Sequence, residues 1–514
     1  MSHSCDLAII GAGPGGLAAA LAGAEAGLRV VLVDDGALPG GNDAAVGRHA
    51  VRALIRELDR AAQVVSSSNL PPGTSGDEVE EPSPASGDFL MLHGDDLERR
   101  LAVAGVQRLR GRGRLLGPGR VGLRDRAGDD AVIEAARIVL ATGSRPAEPF
   151  GLRADGDCIL TSDQLLTREI WPRRLLVAGA GCVGVELAQL ARRLGCQVTL
   201  LEKDERILPA LEGECARAVD AACRRMGIVV KAAHRVSAVK SVGGAAHCRV
   251  LDIAGREERL VTADAVLLAL GRQPATGDLG LESIGAVMDH GGRVAVDGTM
   301  QTSTPGIYAV GDLAPTPQLR HLAAREGLIA ALHAAGRRVQ SVRHDTIPRA
   351  LDTWPQVASV GLTASQARSR GHLVAEGRSA PEAPAGVPAD LPAGVPEVAP
   401  SAAPSAAPAA SPSAGVAEAG AFGSMVRVVL DAESERLVGV HARGDGAERL
   451  ACACATLLEG SLSDPELALA GAGPLSGAAR AALAQARQSA PSVRTHTAAE
   501  LERRPQRRLT EEAG

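Results

Sequence analysis

Aromatic residues are scarce: Tyr308, Phe89, Phe150, Phe422, Trp171 and Trp354 are the whole inventory in 514 residues. Stacking of a ligand on aromatic rings therefore has little material to work with. A basic surplus is missing too, the net charge being −5 and the isoelectric point near 6.2, which argues against nucleic acid or an anionic membrane surface as a partner. Long apolar runs are absent. Stretches such as ADAVLLALG fall far short of the roughly 18 residues of a membrane-spanning helix, so no span is expected. The chain opens almost directly into CDLAII without the charged region, apolar stretch and cleavage site of a secretory leader, and a cytoplasmic location is expected.

Disulfides are not expected either. The nine cysteines are odd in number, and Cys452 and Cys454 sit two apart in a helical pattern, where side chains point to different sides. They are expected to be small buried residues in a reducing compartment. No metal site is expected.

What is present is self-similarity. LAIIGAGPGGLAAALAGAEAGLRVVLVDD (7–35) is echoed by LLVAGAGCVGVELAQLARRLGCQVTLLEK (175–203). Each copy has a short apolar strand, a glycine turn, an Ala- and Leu-rich helix and a second strand ending in an acid, the βαβ pattern of a parallel sheet. A second echo follows each copy: ARIVLATGSRP (136–146) and ADAVLLALGRQP (263–274). Two stretches break the pattern. Residues 65–88 are polar, acidic and rich in Pro, Gly and Ser, as in a long surface loop. Residues 379–421 are almost wholly Ala, Pro, Ser, Gly and Val, a composition that builds no packed core and reads as an extended insertion. Farther on, MVRVVLDAESERLVGVHARG reads as a hairpin around DAESER, and 488–514 as a charged tail.

The glycines of GxGxxG have separate tasks: a tight turn, close approach of backbone to a pyrophosphate, and close packing of helix on strand. Gly11, Gly13 and Gly16 fill these places in the first copy, where helix N–H groups face the phosphates and Asp34 can accept the hydrogens of a ribose diol. Gly179, Gly181 and Gly184 fill them in the second, with Glu202 as the acid. A carboxylate there binds a 2′-hydroxyl and repels a 2′-phosphate, so NADH is expected over NADPH. Lys203 and Arg206 are read mainly as solvated surface charge.

Taken together the motifs resemble the flavin-dependent pyridine nucleotide-disulfide oxidoreductases of the dihydrolipoamide dehydrogenase type. They include the first fingerprint, ATGSRP (141–146), GAGCVGVELA with LLEKDERILP (179–209), TSTPGIYAVGDLAPTPQLRHLAAREG (302–327) and LDTWPQVASVGLT (351–363). The resemblance implies an α/β fold with two Rossmann-like dinucleotide-binding domains, for FAD and NAD, and a C-terminal α+β dimerisation domain in a homodimer. The expected boundaries are 1–150 for the first part of the FAD domain, 151–272 for the NAD domain, 273–340 for the second FAD part, and 341–487 for dimerisation. It also implies that Asp312 holds the flavin's ribityl chain, that Leu319 to Ala323 pass beside the isoalloxazine, and that Glu186 pairs with a basic residue near the flavin N5, here Arg52. Thr142, Gly143, Gly271 and Gly311 join the cofactor-binding candidates. Cys182 stands where the family has a Tyr shielding the flavin, and is read as a small apolar filler.

One departure bears on function. The family's GGTCLNVGC becomes GGNDAAVGR at 40–48, so Asp43 and Arg48 occupy the thiol positions. Disulfide exchange needs a thiolate, which neither residue supplies. The family's HPTLSE, source of the His base and its Glu, becomes AGPLSG at 472–477, and no histidine occurs between His441 and His496. Replacement pairs are not evident: Cys5 begins a strand whose far end would meet the cofactor, and Cys215 and Cys223 lie about 12 Å apart on one helix at ~1.5 Å per residue. The expectation is an FAD-dependent NADH oxidoreductase that delivers electrons directly to a small non-disulfide acceptor, quinone-like or unknown. Asp43 and Arg48 would then line the acceptor face, as catalytic groups or as a plain ion pair. A non-catalytic FAD-binding subunit or redox sensor is the alternative, and dihydrolipoyl dehydrogenase activity a third.

Overall fold

The computed structural model describes residues 2–36, 94–125, 127–128, 130–379, 423–460 and 473–489. Asp43, Arg48, Arg52, the stretch at 65–88, nearly all of 379–421 and the tail after Ser489 lie outside them. The chain divides into two compact units, one holding the residues up to Ile347 together with Leu351–Pro355, the other Pro348–Ala350 and the described residues from Gln356 onward.

In the first unit, β1 (Ser2–Ile10) leads through Gly13 into helix α1 (Pro14–Glu25), then β2 (Val30–Asp34). Proline at the first helical position costs no hydrogen bond and presets φ, and the Ala-rich run that follows favours helix. The strands β3 (Gln107–Arg110), β4 (Arg112–Gly117), β5 (Arg120–Arg124) and β6 (Asp130–Leu140) complete a sheet ordered β3-β2-β1-β6-β5-β4. Its first four strands are parallel, and β4, β5 and β6 form an antiparallel meander. Alternation along β1 sends Leu7 and Ile9 to one buried layer and Ala8 and Ile10 to the other, as a strand covered on both faces requires.

After β7 (Ser144–Pro146), the chain builds a second parallel sheet from β8 (Ile159–Leu160), β9 (Arg174–Ala178), β10 (Gln197–Leu201) and β11 (Val229–Lys231). Helix α2 (Cys182–Arg193) links β9 to β10, and α3 (Gly213–Arg225) precedes β11. An antiparallel trio follows, β12 (His234–Val242), β13 (Ala245–Asp252) and β14 (Glu257–Ala263). Strand β15 (Ala265–Leu268) then enters between β9 and β8, giving the order β11-β10-β9-β15-β8. The chain returns through β16 (Arg272–Pro274), antiparallel to β7, and β17 (Ile307–Ala309), which adds in parallel to the last residues of β6. The two glycine-turn echoes of the sequence thus meet as neighbours in one ribbon.

Helix α4 (Arg320–Ala334) closes the first unit against α1. Small residues make this possible: a Cβ at Gly327 would fall 2.0 Å from the Gly15 carbonyl oxygen. The lone tyrosine, Tyr308, is buried at the layer's edge, its hydroxyl 3.0 Å from His333 Nδ1.

In the second unit Val357–Gly361, Leu437–Arg443, Met425–Asp431 and Val374–Ser379 run antiparallel in that order, and the middle pair is the expected hairpin. Helices Ala447–Leu458 and Ser476–Ser489 cover the sheet. Cys454 is buried there but Cys452 is exposed, correcting the expectation that both are buried: the two residues face opposite sides of one helix, and only one side meets the sheet. No helix among the described residues is long and apolar enough to cross a membrane.

Gly327→Ala is expected to destabilise the protein by about 3 kcal/mol, because overpacking against a fixed backbone leaves nothing to yield. Gly477→Ala, in a helix with open space around the new methyl, should gain up to ~1 kcal/mol. Denaturant midpoints of the two variants check both signs.

Candidate functional site

The two fingerprints are stereochemical copies. Gly11 and Gly179 have φ of +105° and +99°, which only glycine adopts without strain, and each N–H reaches back to the following strand, Gly11 to Val33 O at 2.8 Å and Gly179 to Leu201 O at 2.9 Å. A Cβ at Gly16 would lie 1.9 Å from Gly11 O, and one at Gly184 1.9 Å from Gly179 O. These four glycines serve the protein's own packing.

Gly13 and Gly181 do not. Both cap their helices with ordinary φ values of −70° and −71°. A Cβ at Gly13 meets nothing closer than Ala141 O at 3.9 Å, and one at Gly181 nothing within 4 Å. Neither conformation nor packing calls for glycine there, so the bare backbone is left for something that must approach the helix N-terminus. The acids are copies as well: Asp34 Oδ1 accepts from Ala12 N at 3.2 Å and Glu202 Oε2 from Ala180 N at 2.8 Å, each across 22 residues.

The first fingerprint opens on a cavity of 470 Å³, within the range of small-ligand and cofactor sites. Gly11, Gly13, Asp34, Thr142, Gly143, Gly311, Asp312, Leu319 and Ala323 all line it, which brings together candidates drawn from distant parts of the chain. Gly16 and Gly271 are not among its lining residues: Gly16 packs against the Gly11 carbonyl, and the Gly271 carbonyl accepts from Ala147 N at 3.0 Å. Around the second fingerprint, Glu202 is buried and also accepts from Asp204 N at 3.1 Å. Lys203 pairs with Asp204 at 3.0 Å, and Arg206 donates to the Pro209 and Leu211 carbonyls. Glu186, on α2, accepts the Asp352 N–H at 2.9 Å, and Arg52 lies outside the described residues. Cys182 is exposed at the first position of α2; the expected buried filler is corrected, because the buried face of α2 begins two residues later, at Gly184 and Val185.

Four residues escaped the sequence reading. Arg272 Nε donates to Ser144 Oγ and its NH2 to Ser144 O, both at 2.7 Å, Ser144 Oγ donates to Asp312, and Arg272 stands 4.0 Å from the Asp312 carboxylate. This fixes the Asp312 side chain at the cavity wall. Arg108, its side chain 7% exposed, bonds Asp34 Oδ2 at 3.3 Å and Gly36 O at 2.8 Å. The signal for Ser144 and Arg272 was present in GSRP and GRQP; for Arg108, amid a run of surface arginines, there was none. The fourth, Glu326, is fully buried on α4 and accepts from Gly311 N at 2.7 Å.

The family described as pyridine nucleotide-disulphide oxidoreductase matches residues 5–327. The chain belongs to this family. It is 33% identical to dihydrolipoyl dehydrogenase 3 of Pseudomonas aeruginosa over 91% of this chain and 94% of that one, and 35% identical to dihydrolipoyl dehydrogenase of Thermus scotoductus over 73% and 79%. The crystal structure of LpdA from Mycobacterium tuberculosis, 22% identical, superposes with a TM-score of 0.71 over 92% of this chain and 99% of that one, a likeness of fold. As a member of the pyridine nucleotide-disulphide oxidoreductases the protein is an oxidoreductase and a flavoprotein, and membership implies FAD and a nicotinamide nucleotide as its cofactors. The donor set around the cavity suits a dinucleotide: a helix N-terminus reached over bare Gly13, carboxylates at Asp34 and Asp312, and Gln318 Nε2, buried in the lining without a protein partner among the described residues.

Burial pushes the Glu326 carboxyl up from 4.5 to about 7, against the lowering effect of Gly311 N–H. A carboxyl whose folded value is raised stabilises the fold below its unfolded value and loses that contribution as pH rises through its folded one. Replacing it by an uncharged amide removes the loss. Between pH 5 and pH 8, Glu326→Gln should therefore gain roughly 2–3 kcal/mol relative to wild type, read from urea unfolding of both proteins at each pH.

Proposed function

We propose that the protein is an FAD-dependent NADH oxidoreductase that delivers electrons directly to a non-disulfide acceptor of quinone-like chemistry. The observation that carries this is the register at 40–48, in which Gly40, Gly41, Val46 and Gly47 hold their places while Asp43 and Arg48 stand where the family's thiols would be. Relatives named dihydrolipoyl dehydrogenase point to a disulfide substrate; the missing thiols argue against that substrate here, as does the absence of a histidine from 442 to 495. The remaining cysteines offer no replacement. Burial raises the thiols of Cys5 to about 11 and of Cys223, Cys248 and Cys454 to about 12, so they stay protonated and unreactive. Cys182 and Cys452 are exposed, but they lie 270 residues apart in the chain and neither has a second exposed cysteine near it in sequence with which to close a dithiol cycle.

Bound FAD supplies the hydride chemistry, accepting from nicotinamide and giving to the acceptor. The chain's task is to hold and orient. In this reading the N-terminus of α1 takes the pyrophosphate over Gly13, Asp34 takes the adenosine ribose, and Asp312, steadied by Ser144 and Arg272, takes the ribityl hydroxyls. Leu319 to Ala323 flank the ring system. Gly181 and Glu202 receive NADH; Glu202 disfavours a 2′-phosphate, and Lys203 is already engaged with Asp204. Arg52 with Glu186 would sit by the flavin N5, Asp43 and Arg48 on the acceptor face, in a homodimer.

Anaerobic NADH should bleach the bound flavin without a thiolate-to-flavin charge-transfer band, and the reduced protein should pass electrons to quinones but leave lipoamide untouched. Ordinary lipoamide turnover would sink the proposal. As apoproteins, Gly13→Ala and Gly181→Ala should match the thermal stability of the wild-type apoprotein within a degree or two, since neither methyl meets the protein. The first should lose FAD, and the second should keep FAD but lose reduction by NADH.

A further inference from the structure

Glu326 lies on α4 behind the cavity wall with no exposed surface. Its Oε2 grips Gly311 N at 2.7 Å, and Gly311 begins the 3-10 turn Gly311–Leu313 that carries Asp312 to the cavity. That turn has little other latitude: Gly311 has φ +66°, and the space where its Cβ would be is met by Ala323 Cβ at 3.2 Å. On the other side Oε1 faces His344 Nε2 at 3.6 Å, and the His344 side chain is 40% exposed, so the buried carboxyl reaches solvent through one imidazole. Among the described residues Asp312 is the other charged group acting on it, beside the Thr316 hydroxyl, with Asp345 acting on His344 from beyond. The helix packed along α4, α1, carries no charged side chain before Glu25.

We infer that Glu326 is a positioning residue for the flavin site: as the neutral acid it pins Gly311 and so holds Asp312 toward the cofactor, and loss of its proton through His344 loosens the turn. This rests on the FAD assignment above. The reason lies in the company it keeps. An ionised Glu326 would accept more strongly from Gly311 N–H, but it would be a second negative charge beside Asp312 at a position with no exposed surface, and opening the turn lets the carboxylate hydrate. Burial accordingly pushes its titration to about 7 and depresses His344, which stays a neutral proton acceptor above its own titration. Closed and open turn then differ in proton affinity, and the equilibrium between them shifts with pH.

Amide hydrogen exchange of the segment 307–319 in the full chain, corrected for the intrinsic pH dependence of exchange, reads that equilibrium. In wild type the opening constant should rise about fifty-fold between pH 5 and pH 8. In Glu326→Gln, whose amide oxygen still accepts from Gly311, it should stay flat at the wild-type pH 5 level. Glu326→Ala should be open at both pH values. FAD affinity, measured by quenching of free flavin fluorescence, should weaken over the same window in wild type and not in Glu326→Gln. Equal pH profiles in wild type and Glu326→Gln, with FAD bound normally, overturn the role of Glu326 alone. Failure of wild type to bind FAD at pH 5 overturns the cofactor assignment, and this inference with it.

Discussion

The carbonyl of Gly11 occupies the place where a side chain at position 16 would begin, and the same contact recurs between Gly179 and Gly184. Each helix can start against its strand only because two residues have no Cβ. That approach sets the direction of α1 and α2, aiming their first N–H groups past the ends of the parallel strands, where ligands of such sheets bind. Gly15 against Gly327 extends the constraint, since it brings α4 close enough to deliver Leu319 and Ala323 to the same cavity. The Ala-rich, aromatic-poor composition is the counterpart of this closeness: helices that touch backbone to backbone have no room for rings, and dispersion over many small contacts replaces a few large ones.

Within that frame the carboxyls that line or back the cavity wall at Asp34, Asp312 and Glu326 are tied down. Asp34 is held by Ala12 N–H and Arg108, Asp312 by Ser144 with Arg272 behind it, and Glu326 by Gly311. A carboxylate has about four acceptor positions, so these bonds orient the acids while leaving lone pairs for a ligand's hydroxyl groups. Preorganisation of this kind lowers the cost of binding, because the side-chain entropy is lost in folding and not again on association.

How far all this was legible in the sequence follows from chain distance. The fingerprints were legible because a glycine's steric duty is local: Gly11, Gly13, Gly16 and Asp34 declare themselves within one βαβ unit, and the second copy repeats the spacing. The cavity's polar clamps were not, since Ser144 meets Asp312 across 168 residues, Arg272 meets Ser144 across 128 and Arg108 meets Asp34 across 74. No periodicity relates such partners. Cys182 and Cys452 misled in another way: the general tendency of cysteine to be buried lost to position on the helix, the first turn in one case and the solvent side in the other.

The division between legible and hidden also separates two kinds of chemistry. Holding a dinucleotide depends on backbone geometry spread over the sheets, α1 and α4, and at Gly11, Gly16 and Gly327 substitution is felt by the fold as well. Relaying electrons through thiols depends on a few side chains whose loss the fold does not feel. The two can therefore part company, and on the proposed route they have: Asp43 and Arg48 replace both thiols together, and the histidine that would serve them is gone as well. Loss of one half alone would have left either a base with nothing to activate or a thiol without activation; loss of both leaves a flavin site complete in itself. What such a site must still provide is a way for an acceptor to reach the reduced ring. On that route the exchange of a covalent relay for a carboxylate and a guanidinium removes the chemical demand for a disulfide, and with it the restriction of the acceptor to one that can exchange thiols.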